Sequence, residues 1–156
     1  VGSEMCIRDS YSGDSIEEIC ADFLSYQKNA VFNNGWKNRN QVLHQVLEIP
    51  PDDIIYLLHD ASSNFLASFV TGRPTVKNAE GFAITDKGVY VADFGEKAEF
   101  MSWKEFRECE KVNIQGCCIR FDGKRVAYYT GGDRVRLQIE ALFIAIHKYL
   151  NNRSLE

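Results

Sequence analysis

The stretch from Gly81 to Trp103, GFAITDKGVYVADFGEKAEFMSW, constrains the fold more than any other part of the chain. Phe82, Ile84 and Thr85 read as one strand, Asp86-Lys87-Gly88 as a tight turn, and Val89, Tyr90 and Val91 as the returning strand. Asp and Gly between β-branched and aromatic runs are what a short reversal with positive φ requires. Phe94-Gly95-Glu96-Lys97 reads as a second turn, feeding a third strand that ends in Ser102-Trp103. The pattern fixes an architecture and leaves an activity open.

The same rhythm continues downstream. Strands are expected over Ile54 to Leu58 and Phe65 to Val70, then near 81–85, 88–93, 98–103, 111–115, 117–121 and 125–129. Gly95, Gly116 and Asp122-Gly123 separate four of them at turn positions. Closely spaced strands of this kind imply an antiparallel meander closed into a barrel or sandwich. A helix comes last: Asp133 caps it, and Val135, Ile139, Leu142, Phe143, Ile146 and Leu150 line one side at helical spacing.

Upstream, Ser15 and Glu18 form a capping box, and Ile16, Ile19, Cys20, Phe23 and Leu24 make one apolar stripe. A second short helix over about Asn38 to Leu47 carries Val42, Leu43, Val46 and Leu47 on one face, and Pro50-Pro51 closes it. Residues 11–50 therefore read as a helical hairpin and residues 51–156 as a β-rich domain with its C-terminal helix. The hairpin must pack on the β-rich domain, because it cannot bury its stripes alone.

About seven strands and one amphipathic C-terminal helix is the order of a pleckstrin-homology-like barrel. GFAITDKGVYV, MSWKEF and IRFDGKRVAYYTG together resemble bacterial PH-like modules with a T-x-K-G-(I/V)-Y … (I/F)-S-W-x-(E/D)-(L/F) signature. Thr85, Lys87, Gly88 and Tyr90 match its first part; Ser102, Trp103, Glu105 and Phe106 match its second. The resemblance covers about residues 54–150 and implies an α+β fold, an antiparallel barrel plugged by its last helix. It carries a scaffold, not a chemistry.

The first ten residues, VGSEMCIRDS, resemble the in-frame translation of a transposon-type sequencing adapter, as found in gene calls from environmental assemblies. They are set aside as an artefactual tail. Without them Lys plus Arg is 17, Asp plus Glu is 20, and four of the five cysteines remain. An upstream domain lost at this junction is then expected as one possible partner of the chain.

The 156 residues suit one domain, and ten Phe, seven Tyr and two Trp supply a core. A net charge of −4 argues against a sequence-independent grip on nucleic acid. No apolar run approaches the roughly 18 residues that span a bilayer, so no membrane insertion is expected. Cysteines without a secretory signal suggest reduced thiols in a cytoplasm.

Candidate sites are sparse. Cys109, Cys117 and Cys118, with His44, His59 and His147 available, lack the paired spacing of zinc ligands, and no metal or other cofactor is expected. No serine sits in a nucleophile elbow, and no Cys–His pair carries a local signature, so an enzyme ranks last. Asp52-Asp53 reads as a turn start, His59-Asp60 as polar residues leaving a strand, and Trp103, Tyr90 and Phe100 as core.

The strongest ligand signal is Thr130-Gly131-Gly132-Asp133-Arg134. Its free amides at a helix start, with Arg134 and Arg136 and with Lys124 and Arg125 on the preceding turn, suit an anion. Phosphoinositide binding is not expected, because the loop after the first strand offers only Arg73 and Lys77 and the chain is acidic. Trp36, flanked by Lys37 and Arg39 in a polar loop, suits a protein contact, since Trp and Arg dominate interface hot spots. The sequence thus points to a non-catalytic protein-interaction module, with a binder of a small anionic ligand or nucleotide signal as the alternative.

Overall fold

A computed structural model of the chain describes residues 10–27, 32–33, 45–60, 81–92, 97–110, 112–115, 118–121, 124–128 and 133–153. The architecture is α+β, with antiparallel sheets and a C-terminal helix.

Helix α1 (Ile16–Ser25) starts where its capping box predicts. The Glu18 amide donates to Ser15 Oγ at 3.1 Å, while the Glu18 carboxylate reaches one residue further back than a standard box, accepting from the Asp14 amide at 2.6 Å. Tyr11, the first residue after the adapter-like stretch, is buried and packs its ring edge-on against Phe23 at 5.1 Å.

The main sheet runs in sequence order through β1 (Phe32–Asn33), β2 (Ile55–Asp60), β3 (Gly81–Thr85), β4 (Gly88–Ala92) and β5 (Glu99–Ser102). The two-residue β1 pairs Phe32 with His59 and Asn33 with Leu58. Phe32 and Asn33, between α1 and the helical turn at 45–47, thus add to the sheet edge, while residues 38–44 of the second expected helix lie outside the described residues. His59 does not leave the strand: it is fully buried, with its ring 5.1 Å from that of Phe82.

Every residue of β3 and β4 is buried, so this hairpin has two covered faces. One face, with Leu57, Phe82, Ile84, Val89, Val91 and Met101, shares a core with Ile19, Cys20 and Phe23 of α1. Ile139, Leu142, Phe143 and Ile146 complete that core from helix α3 (Asp133–Arg153). The other face, with Leu58, Ala83, Tyr90 and Ala92, lies under Leu47 and Ile49. Each large side chain so buried contributes on the order of 1.5–3 kcal/mol. A register shift between Ile55 and Leu57 turns both Tyr56 and Leu57 toward the first core.

The third strand of the opening segment stops at Ser102. Trp103 is not its last residue but the first of helix α2 (Trp103–Glu108), whose cap is Ser102 Oγ accepting from the Glu105 amide at 3.2 Å. A second sheet, β6 (Val112–Gln115), β7 (Cys118–Phe121) and β8 (Lys124–Tyr128), forms a meander of its own. Strand β8 approaches β3, β4 and β5, and α3 lies against α1, α2 and β6. Among the described residues no hydrogen-bonded strand pair joins the two sheets. No described helix is long and apolar enough to cross a membrane.

Candidate functional site

The residues of the sequence signature converge under the β3–β4 turn. Thr85 Oγ1 accepts from the amides of Lys87 at 3.0 Å and Gly88 at 3.3 Å, and its own proton is directed to Asp53 Oδ2 at 3.2 Å. The same Asp53 oxygen accepts from the Tyr90 hydroxyl at 2.7 Å. Beside it, Asp86 and Ile54 bond reciprocally: the Ile54 amide donates to Asp86 Oδ1 at 2.8 Å, and the Asp86 amide donates to the Ile54 carbonyl at 3.0 Å. The indole N–H of Trp103 donates to the Thr85 carbonyl at 3.0 Å.

These bonds set the electrostatics. The Ile54 amide beside Asp86 holds its carboxyl below the usual carboxylate value. Burial, reinforced by the Asp53 carboxylate, pushes the Tyr90 hydroxyl above its ordinary value. Lys87 meets Asp86 at 3.3 Å but is largely exposed, so the pair adds little. Asp53, read from the sequence as a turn start, is the acceptor at the centre of the cluster.

Gly88 is required by space. A Cβ there would sit 2.2 Å from the Met101 carbonyl oxygen and 2.8 Å from the Phe100 ring. Asp86 and Lys87 turn the chain without positive φ, since Glu48 is the non-glycine residue with positive φ among those described. The Asp-Lys-Gly turn is therefore not the left-handed reversal its composition suggests. These bonds hold the hairpin in place: one Asp53 oxygen accepts from both the Thr85 and the Tyr90 hydroxyl, and Asp86 is bonded to the Ile54 amide.

A second polar group ties α2 to α3. His147 Nε2 lies 2.6 Å from the Cys109 carbonyl oxygen, an approach that places the ring proton on Nε2. Asn151 Nδ2 donates to the Arg107 carbonyl at 3.3 Å and to the His147 carbonyl at 2.9 Å. Two side chains of α3 thus receive carbonyls at the end of α2. Phe106 lies edge-on to the His147 ring at 5.4 Å. His147 thus joins α3 to the backbone at the end of α2.

Among the described residues no group of three or more His, Cys, Asp or Glu is placed to hold a metal ion. Cys20 and Cys109 are buried free thiols, and burial pushes Cys20 up to about 12, where it is inert as a nucleophile. An open pocket of about 310 Å³ lies between residues 10–13 and the end of α3, with Tyr11, Ile19, Ala145, Lys148, Tyr149 and Asn152 in its wall.

An exposed aromatic stands at the edge of the sheet. Phe100 stands opposite Tyr90 with ring centroids 4.6 Å apart, covers Gly88, and remains 43% exposed. It is not the core residue its alternation suggests, whereas Tyr90 is buried and Trp103 is half-buried. Register explains the difference: Phe100 faces the side covered by residues 45–49, and that cover reaches Tyr90 but stops short of β5.

The proposed anion residues are described only in part. Gly131 and Gly132 lie outside the described residues, as does the side chain of Arg134, whose backbone is in α3. Arg136 is half-buried on α3 and already engaged in an interaction of its own. Lys124 and Arg125 are paired within β8, opposite Phe121 and Arg120, and not on the turn before it. Trp36, Lys37 and Arg39, with His44 and the strand expected over Phe65 to Val70, lie outside the described residues.

No protein-family model, curated protein or solved structure matches the chain.

Proposed function

We propose that this chain is a non-catalytic protein-interaction module of the cytoplasm, built on a PH-like barrel of about seven strands closed by α3. The observation that carries the reading is the contrast between the signature cluster and the sheet edge. The carboxylates and hydroxyls that could do chemistry at the β3–β4 turn hold the fold: Asp53 takes Thr85 and Tyr90, and Asp86 takes Ile54. The sheet instead presents an aromatic, Phe100, on its last strand. A rigid aromatic at an edge suits a protein surface, where such residues carry binding energy. The buried free thiols of Cys20 and Cys109 fit a reducing compartment.

The test is site-specific photocrosslinking in cells. A photoreactive phenylalanine analogue at position 100 is expected to give a discrete protein adduct, and the same analogue at Leu137, exposed on α3, is expected to give none. Absence of an adduct at position 100 overturns the reading. A thermal shift with phosphate-bearing compounds that is lost in Arg134→Ala transfers the function to ligand binding.

A further inference from the structure

We infer that the notch between Phe100 and Asp53 receives an arginine side chain of the partner protein, its guanidinium lying on the Phe100 ring and pairing with the Asp52 and Asp53 carboxylates. The inference rests on the interaction reading above and names the chemistry of the partner.

Gly88 brings the two sides of the notch together. The Phe100 ring leans over it so closely that a Cβ there would meet ring carbons at 2.8 Å and 3.0 Å. On the other side stands Thr85, whose Oγ1 accepts from the Gly88 amide at 3.3 Å and donates to Asp53 Oδ2 at 3.2 Å. Tyr90 makes the same link: its ring lies 4.6 Å from that of Phe100, and its hydroxyl meets Asp53 Oδ2 at 2.7 Å. An exposed ring and a carboxylate therefore flank one glycine, which has no side chain to fill the space between them.

The charge at this place is unbalanced. Asp53 Oδ2 takes both hydroxyls, while its Oδ1 has no hydrogen bond among the described residues. Asp52, exposed beside it, has no ion-pair or hydrogen-bond partner among them. Lys87 is drawn to Asp86 at 3.3 Å and neutralises neither. Burial first, then the charges of Asp53, Asp52 and Asp86, hold the Tyr90 hydroxyl above its ordinary value, so all three carboxylates act at the end of that ring.

The pairing of ring and charge selects the occupant. Negative potential turns away anions, nucleic acid included. A purely apolar segment would strip water from Asp52 and Asp53 and leave their charges unpaired. A cation answers both features, because the face of an aromatic ring and a carboxylate each attract it. Arginine suits the notch better than lysine: its planar, weakly hydrated guanidinium stacks on a ring while its N–H groups meet carboxylate oxygens. Leu47 and Ile49 cover this face as far as Tyr90, so a partner segment laid on Phe100 continues that cover to β5.

Two acetylated peptide amides, tetra-arginine and its neutral isostere tetra-citrulline, titrated into the nitrogen-labelled full chain and followed by NMR, test this. The arginine peptide is expected to shift the Gly88, Tyr90 and Phe100 amide resonances, and the citrulline peptide to leave them in place. Asp52→Asn and Phe100→Leu, both at exposed positions, are each expected to weaken binding about threefold or more. Added salt is expected to weaken it further. In cells, peptide mapping of the position-100 adduct is expected to find an arginine of the partner beside the crosslink. Equal shifts with the two peptides overturn the inference, as do shifts confined to other parts of the chain or binding indifferent to both substitutions. A crosslinked segment without arginine, from another protein or from a second copy of the chain, overturns it too. In each of those cases an adduct at position 100 leaves the interaction reading standing. If no adduct forms, both fall.

Discussion

The indole N–H of Trp103 donates to the carbonyl oxygen of Thr85 across 3.0 Å and 18 residues of chain. This one bond ties the start of α2 to the end of β3, and it runs alongside the Trp103 amide's own bond to Lys87. Trp103 also packs edge-on against Phe106, 5.7 Å away, which is fully buried. The hairpin and the helix after it are therefore braced as one piece.

Trp103→Phe keeps the ring and removes the donor. The carbonyl of the buried Thr85 is left without that partner, and the expected loss is about 1–2 kcal/mol. Chemical denaturation should show a lower midpoint with an unchanged slope. A variant as stable as wild type would mean that water replaces the indole.

Gly88→Ala is expected to cost about 3 kcal/mol or more, because the Phe100 ring could turn away from the new methyl but the backbone atom nearest to it could not. The atom it meets, the Met101 carbonyl oxygen at 2.2 Å, is backbone, so β4 and β5 must separate. Thermal unfolding checks the loss. A change under about 1 kcal/mol would show that the strands can part at that corner without disturbing the core.

Tyr90 should make the protein sensitive to alkali. Burial and Asp53 raise its folded value above the unfolded one, so the folded state holds the proton more tightly. The resulting stability is present below about pH 10 and is lost as pH rises past it. Melting temperatures from pH 8 to 12 should fall more steeply for wild type than for Tyr90→Phe. Parallel curves would assign alkaline unfolding to other groups.

Asp86 acts in the opposite direction. The Ile54 amide depresses its folded value, so its contribution is present above about pH 4 and is lost as pH falls through the folded value. Asp86→Asn should lose stability at pH 7 and converge with wild type near pH 2. A constant gap across that range would indicate that the side chain acts by shape rather than by charge.

Much of the architecture is legible in the sequence because it depends on local pattern. The cap at Ser15, the stripe of α1, the hairpin about Asp86-Lys87 and the apolar side of α3 all follow from spacing. Helix α2 carries the same signal, Ser102-x-x-Glu105, but the alternating run before it extends the expected strand one residue too far. Strand β1 is invisible because two residues carry no period, and only the partners His59 and Leu58 define them. Asp53 is hidden for a similar reason. Its role needs Tyr90, 37 residues away, and no local pattern announces a contact at that distance. Phe100 reads as core because alternation gives the face of a strand and not how far the cover over that face extends.

Glu48 offers a gain rather than a loss. It comes directly after the helical turn at 45–47 with φ of 52° and donates its amide to the Gln45 carbonyl at 3.3 Å, closing that turn in the left-handed region. A residue with a Cβ holds this conformation at a cost on the order of 1 kcal/mol, whereas asparagine adopts it more readily. The Glu48 side chain is exposed, so removing its charge disturbs no buried contact. Glycine would relieve the same strain but would add freedom to the unfolded chain, which offsets part of the gain. Glu48→Asn is therefore expected to raise stability by about 0.5–1 kcal/mol, and Glu48→Gly by less. Because Leu47 and Ile49 on either side cover Leu58, Ala83 and Tyr90, the gain should appear as slower hydrogen exchange at the β3 and β4 amides. A loss of stability in Glu48→Asn would show that the carboxylate contributes more than the backbone conformation costs.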